Sequence, residues 1–201
     1  MDLVDHVDVG GRALAIARPP DAEALLDEEA FEREEFLPYW AELWPSALAL
    51  ARAVAAQDVN GLSAVELGCG LALPSIAAAL AGARVLATDW SPDALGYAER
   101  NARANGAALE TVRVAWAQPE ELVRRGPFDL VLAADVLYER RNTELLLALL
   151  PRLADEVLLA DPGRPALPAF LEGADAEWEA DLLAAAELPR GGIHRLRRRV
   201  R

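Results

Sequence analysis

Two carboxylates and a glycine turn stand at a spacing that does chemistry. Glu66-Leu67-Gly68-Cys69-Gly70 closes a short apolar run that begins at Ser63, and Asp89 ends the next such run, Arg84 to Asp89. In a doubly wound α/β sheet the first strand-to-helix turn needs glycine, because a side chain there blocks the approach of backbone to ligand. An acid about twenty residues further on meets the hydroxyls of a ribose. The pattern is that of a nucleoside site. A second pair follows: the apolar run Phe128 to Ala134 delivers Asp135 and Tyr138 to a strand's carboxyl edge, where open α/β sheets bind ligands. Packing alone gives little reason for an acid there.

The residues around the turn narrow the ligand. A dinucleotide site would carry a third glycine of Gly-x-Gly-x-x-Gly, but that place is Leu73, and Pro74 is expected at the first helical position instead. Glu66 would repel a diphosphate and welcome an ammonium group. An acid for a cation and a second acid for a ribose suit S-adenosylmethionine, with its amino group, sulfonium and ribose diol. A Rossmann-type turn for another nucleotide is the competing reading. Trp116, after the third strand, is placed to lie flat on adenine, a contact worth about 1–3 kcal/mol; the alternative is a core indole. Trp44 precedes Pro45, which pushes it out of helical conformation to stand extended at a helix mouth. Cys69, the lone cysteine, reads as a packing or cofactor-wall residue.

Composition sets the class. A chain of 201 residues suits one domain, with residues 1–36 as an extension and 37–201 as the core. It shows neither a signal-peptide pattern nor an eighteen-residue apolar stretch, so a cytoplasmic location and no membrane partner are expected. His6 and His194 are too few and too isolated for zinc, and no metal is expected. All twenty basic residues are arginine and the net charge is −13, which argues against nucleic acid and favours a basic partner. Eleven acids against three arginines crowd residues 1–36, whereas 190–201 carry six arginines and no acid. That basic end is expected either to pair with the acidic arm or to form a solvated strand face.

Alternating patterns then supply the elements. Val7 to Ile16 alternates around Gly10-Gly11 as a hairpin, 21–35 reads as an exposed helix, and Pro45 opens a helix to about Ala56. From Ser63 the rhythm is strand 63–67, helix 74–81, strand 84–88, helix 92–105, strand 110–115, short helix 118–124, strand 128–134, helix 141–153 and strand 156–160. Pro151 is expected to kink or end its helix. A helix to about Glu172 and strands over 178–183 and 193–200 close the set, the last two antiparallel. The expected fold is α/β: a Rossmann-like seven-stranded sheet with helices on both faces and an N-terminal hairpin/helix extension.

Four segments together, Pro38-Tyr-Trp-Ala-Glu-Leu-Trp44-Pro-Ser, Val65-Glu-Leu-Gly-Cys-Gly70-Leu, Asp89-Trp90-Ser and Ala134-Asp-Val-Leu-Tyr138, resemble methyltransferase family 16, a seven-strand class I group rich in protein-lysine methyltransferases. The resemblance covers about residues 38–164. It is similar to the branch of electron-transfer-flavoprotein β-subunit lysine methyltransferases and bacterial nicotinamide-methyltransferase-like relatives. It implies that Trp44, Gly68 to Gly70, Asp89, Trp116 and Ala134 touch S-adenosylmethionine, with Trp90 in the same motif as Asp89, and that Asp135 and Tyr138 face an accepting amine. The implied reaction is in-line methyl transfer to a neutral amine, most simply a protein lysine, with a small nicotinamide-like amine as the alternative. An NAD(P)-dependent oxidoreductase and a non-catalytic cofactor-binding protein are the remaining readings. Asp135 is expected to bind and orient the acceptor's ammonium before it loses its proton, and Tyr138 to shape the wall. One departure is Ala72, where a third glycine often stands; a methyl group fits if the backbone there has ordinary dihedrals. The loop Gly163-Arg164-Pro165 and the N-terminal arm are the expected places of substrate choice.

Overall fold

The computed structural model describes residues 2–21 and 38–199. A two-stranded hairpin, β1 (Leu3–Val9) and β2 (Arg12–Arg18), precedes helix α1 (Pro45–Ala55). Strands and helices then alternate: β3 (Ser63–Leu67), α2 (Leu73–Leu80), β4 (Arg84–Asp89), α3 (Pro92–Ala104), β5 (Glu110–Arg113), α4 (Glu120–Arg125), β6 (Leu130–Ala134), α5 (Arg140–Leu153), β7 (Glu156–Asp161), α6 (Leu167–Ala174), β8 (Trp178–Leu183) and β9 (Gly192–Arg198). The seven-stranded sheet has the order β5-β4-β3-β6-β7-β9-β8. β3 to β7 are parallel, and β9 inserts antiparallel between β7 and β8.

The order explains where a ligand must go. From β3 the chain steps outward to β4 and β5, then returns to the other side of β3 for β6 and β7. The two crossover helices leave β3 and β6 in opposite directions, so a crevice opens at the carboxyl ends of those strands. Strand parity divides the core. Val65, Leu67, Val131, Ala133, Val157 and Leu159 pack on α4, α5 and α6 through Leu122, Leu146, Leu149 and Phe170. Ala64, Leu130, Leu132, Leu158 and Ala160 face Ala49, Leu50 and Val54 of α1. Both faces of the parallel strands are thus covered, which is why they read as unbroken apolar runs.

Several expectations change in detail. The hairpin is longer than its clearest alternation, and the helix expected over 21–35 lies, apart from Asp21, outside the described residues. α2 begins at Leu73, so Pro74 occupies its second position. α5 continues two residues past Pro151, whose missing N–H falls in the last turn. The arginines of β9 pair locally: Arg195 with Glu156, Arg197 with Asp181 and Arg198 with Glu177, while Arg199 just beyond pairs with Asp175. Cross-strand acids therefore supply their partners.

The hairpin is fastened by side chains that imitate a strand. Asn101 and Asn105, one turn apart at the end of α3, each accept from and donate to the open edge of β2, at Ala17 and Ala15 respectively, over 2.9–3.1 Å. Asn101 is fully buried and also donates to the Leu71 carbonyl, 3.2 Å away, in the loop after β3. Asn101→Ala leaves these backbone groups without their partner and is expected to lower stability by about 2 kcal/mol. Asn105→Ala should cost less, and urea unfolding of the two variants checks the order.

Candidate active site

The turn after β3 is built on hydrogen bonds to β4. Cys69 N donates to the Thr88 carbonyl at 2.9 Å, which carries contact with β4 two residues past the end of β3. Gly70 N then donates to Asp89 Oδ2 at 3.0 Å, while Asp89 Oδ1 accepts from Ser91 N at 2.9 Å. Gly68 and Gly70 have φ of +66° and +49°, the left-handed region that glycine enters without penalty. Gly70 also lies under the Trp40 backbone: a Cβ there would stand 3.1 Å from the Trp40 carbonyl oxygen. Ala72 corrects the expectation of ordinary dihedrals. Its φ is +63°, so the third glycine-like position keeps its conformation with a methyl group attached, at a cost of roughly 1–2 kcal/mol.

Glu66 lies beneath this turn and is 1 % exposed. Its Oε2 accepts from both the backbone N–H, at 2.9 Å, and the hydroxyl of Ser75 on α2. Ser75 therefore takes part of the carboxylate that the sequence assigns to a ligand's ammonium. Burial pushes the Glu66 carboxyl up to about 8, the Ser75 hydrogen bonds opposing the rise and Asp89 adding to it. Asp89 is raised as well, chiefly by burial, against the pull of the backbone N–H groups of Ser91, Gly70 and Trp90. Burial beside these two acids also raises the Cys69 thiol, which makes it a neutral wall and not a nucleophile.

A cavity of about 470 Å³ spans the crevice. All eleven residues singled out from the sequence line it: Trp44, Glu66, Gly68, Cys69, Gly70, Asp89, Trp90, Trp116, Ala134, Asp135 and Tyr138. The Trp116 ring lies close above Gly68, where a Cβ would come within 3.3 Å of it. Trp44 is extended, with ψ of 144°, and its indole N–H donates to the Tyr39 carbonyl at 2.7 Å. Tyr39 in turn meets Tyr138, with ring centroids 5.0 Å apart. Burial lifts the Tyr138 hydroxyl to about 12, helped by Glu139 and Asp89, so it remains a protonated phenol at neutral pH.

Among the other lining residues four bear on the chemistry, and of these the sequence pointed only to Arg164, as part of the loop of substrate choice. Tyr39 and Trp40 belong to the Pro38–Trp44 segment, where their aromatic type was the available signal. Asn142 is buried and donates to the Val136 carbonyl at 2.9 Å, which fixes the bend between Asp135 and Tyr138. Arg164 meets Asp135 in a two-pronged ion pair, Nε to Oδ1 at 2.7 Å and Nη2 to Oδ2 at 3.0 Å. The Asp135 carboxylate, expected to await a substrate ammonium, thus already holds a cation.

The charge balance decides what fits. Among the described lining residues the acids are Glu42, Glu66, Asp89 and Asp135, and the arginines are Arg141 and Arg164, paired with Glu139 and Asp135. Among the described contacts no arginine bonds to Glu66 or Asp89, so the glycine-turn end of the cavity is acidic, with Glu66 protonated at neutral pH until a nearby cation favours its ionisation. That donor set suits a cationic nucleoside such as S-adenosylmethionine and would repel a diphosphate. Among the described residues no group of three or more His, Cys, Asp or Glu side chains could hold a metal ion.

This sheet order, with its one antiparallel insertion and its site at the β3–β6 crevice, defines a Rossmann-like class I methyltransferase fold. A solved structure titled as a ribosomal protein L11 methylase from Lactobacillus delbrueckii subsp. bulgaricus matches it with a TM-score of 0.58 and 26% sequence identity, over 75% of this chain and 77% of that one. The lysine methyltransferase model of methyltransferase family 16 matches residues 37–160, and the chain belongs to that family. It is 37% identical over 136 residues to the electron transfer flavoprotein beta subunit lysine methyltransferase of Xenopus laevis, covering 63% of this chain and 53% of the relative. It is 39% identical over 114 residues to the protein N-lysine methyltransferase METTL21A of Mus musculus, covering 53% and 52%. The chain spans about half the length of these relatives.

The raised Glu66 carboxyl has a consequence for stability. Between its ordinary value of 4.5 and about 8, the folded chain keeps a proton that the unfolded chain has released. The unfolded state then binds fewer protons, so this group makes stability fall as pH rises through that window, by about 1 kcal/mol per pH unit, and level off above it. Glu66→Gln removes the component. Urea unfolding at pH 5, 7 and 9 is expected to show the variant gaining on the wild type at each step upward.

Proposed function

We propose that this chain is an S-adenosylmethionine-dependent N-methyltransferase whose acceptor is a lysine side chain of another protein. The observation that carries the reading is the joining, in one cavity, of an acidic glycine turn to an aromatic corner that ends on Asp135 and Tyr138. Membership of the lysine methyltransferase family and the names of the relatives support it.

Asp89 would hold the ribose hydroxyls with the lone pairs that its backbone donors leave free, and Glu66 would face the cationic end. The backbone of Gly68 to Gly70 allows close approach, and Trp44, Trp90, Trp116 and Ala134 supply apolar walls. Bound there, S-adenosylmethionine would supply a methyl group on a sulfonium, ready for a nucleophile.

The chain's own work lies on the acceptor side. Lysine has a free pKa near 10.4, so presenting it as a neutral amine at pH 7 costs about 4–5 kcal/mol. Tyr39, Trp44 and Tyr138 strip water from the incoming nitrogen, which lowers that cost by disfavouring the charged form. A carboxylate offers about four lone-pair sites and Arg164 uses two, so Asp135 can still accept an N–H from the amine. Holding one N–H there turns the nitrogen's lone pair away from the carboxylate. Asp135 is too well paired to serve as a strong base, and the acceptor's proton goes to water.

Incubation of a cell lysate with methyl-labelled donor, with and without the protein, is expected to give a labelled polypeptide that yields methyl-lysine on hydrolysis. Label confined to small molecules, or recovered on arginine, would overturn the acceptor assignment. Asp135→Asn is expected to lower turnover at least a hundredfold while changing cofactor affinity by less than threefold, as read by calorimetry. Asp89→Ala should do the reverse, weakening cofactor binding at least tenfold.

A further inference from the structure

Arg164 stands where the sequence leads one to expect a substrate's charge. Its guanidinium covers both oxygens of Asp135, whose side chain is 5 % exposed against 33 % for its own. Neither partner is free to swing. Asp135 has φ of +56° and donates its N–H to the Ala160 carbonyl at 2.8 Å, which sets its side chain across the end of β6. On the other side, Asp161 Oδ1 accepts from the backbone N–H groups of both Gly163 and Arg164 at 2.7 Å. Gly163, with φ of +94°, packs so tightly that a Cβ would stand 2.6 Å from the Arg190 carbonyl oxygen. The arginine stem is therefore delivered by a braced turn, and its Cζ lies 5.8 Å from the centre of the Trp44 ring.

The electrostatic meaning follows from the reaction's requirement. A lone carboxylate stabilises an ammonium beside it and so raises the amine's pKa, the wrong direction for a nucleophile. A carboxylate already bonded to a guanidinium has little net charge to offer. It keeps lone pairs for a hydrogen bond and loses most of its attraction for a second cation. The remaining charges at this end do not replace it: Glu139 is paired with Arg141, Asp161 is fully buried beneath the turn and outside the cavity's described lining, and Glu42 lies within reach of Arg18.

We propose that Arg164 is a positioning residue that acts through Asp135, holding the acceptor corner closed to preformed cations so that it admits the acceptor nitrogen as a neutral amine. This rests on the reading of the cavity as an amine-methylating site and specifies the charge state of the substrate it selects. The acceptor's proton passes to bulk water before entry, and no protein group takes it up. A cationic product nitrogen finds no counter-charge in the same corner.

The test needs no turnover. Binding of n-butylammonium chloride, the end of a lysine side chain without its backbone, is measured at pH 6 by ligand-observed NMR, with and without saturating S-adenosylhomocysteine. Wild type and Arg164→Lys, which keeps the positive charge, are expected to bind it weakly and alike. Arg164→Gln, which frees the carboxylate, is expected to bind at least tenfold more tightly, and Asp135→Asn in that background to abolish the gain. Arg164→Met, which keeps the stem against Trp44, reads the same quantity should the glutamine variant not fold. Equal affinity in wild type and charge-removed variants, a lysine variant that behaves like glutamine, or a gain that survives loss of Asp135 would each overturn the proposal. Failure of S-adenosylhomocysteine to bind would instead count against the cofactor reading, and is seen separately in its own titration.

Discussion

Two buried carboxyl groups, bonded by neutral donors among the described contacts, govern this molecule. Glu66 and Asp89 flank the glycine turn at the ends of adjacent parallel strands, and each is held by neutral donors: Ser75 for the first, Gly70 and Ser91 for the second. Those hydrogen bonds orient the acids, and Glu66 keeps its proton at neutral pH. Burial disfavours ionisation of both, and Asp89 adds to the rise of Glu66. A cation entering the cavity would favour ionisation of both acids. The acidity of the turn is set at the strand ends before any side chain from the variable loops takes part, because β3 and β4 fix both acids by register.

The corner at the far end of the cavity follows a different logic. There the acid has a full partner, and the walls are aromatic. One cavity therefore joins an end that attracts positive charge to an end whose charge is balanced, separated by the width of the β3–β6 crevice. On the reading proposed above, a cationic cofactor and an uncharged acceptor would sort themselves between such ends with little help from shape. The left-handed backbone at Asp135, strained for a residue with a side chain, is what aims its carboxylate at Arg164 and not back along the strand.

Much of this was legible in the residues. Buried parallel strands are continuous apolar runs, so β3, β4, β6 and β7 stood out, and each chemically marked residue sat at a run's carboxyl end, where parallel topology gathers such ends into one crevice. Turn glycines and prolines before helices marked most boundaries. What stayed hidden depends on contacts between distant segments. Nothing in a string of residues says that Trp40 lies across Gly70, that Ser75 faces Glu66, or that an arginine after β7 reaches a carboxylate after β6. Ala72 concealed the left-handed turn because alanine is the last residue one would choose for it. The arginine-rich end was equally ambiguous: its partners are acids on β7, on β8 and in the turn just before β8, visible only once the antiparallel register of β9 is known. Exposed pairs of that kind add about 0–1 kcal/mol each. Their value lies more in covering an edge of the sheet with alternating charge.

The asparagine that ties β2 to Leu71 makes the hairpin a remote indicator of the turn. Asn101 reaches the glycine turn's carbonyl backbone and the Ala17 amide from the same carboxamide, so a displacement of one is felt by the other through a single rigid plane. An isotope-labelled Ala17 resonance, on an element that contributes nothing to the cavity's described lining, would therefore register occupancy from outside the crevice. That gives this scaffold a built-in gauge for screening occupants without any chemical turnover.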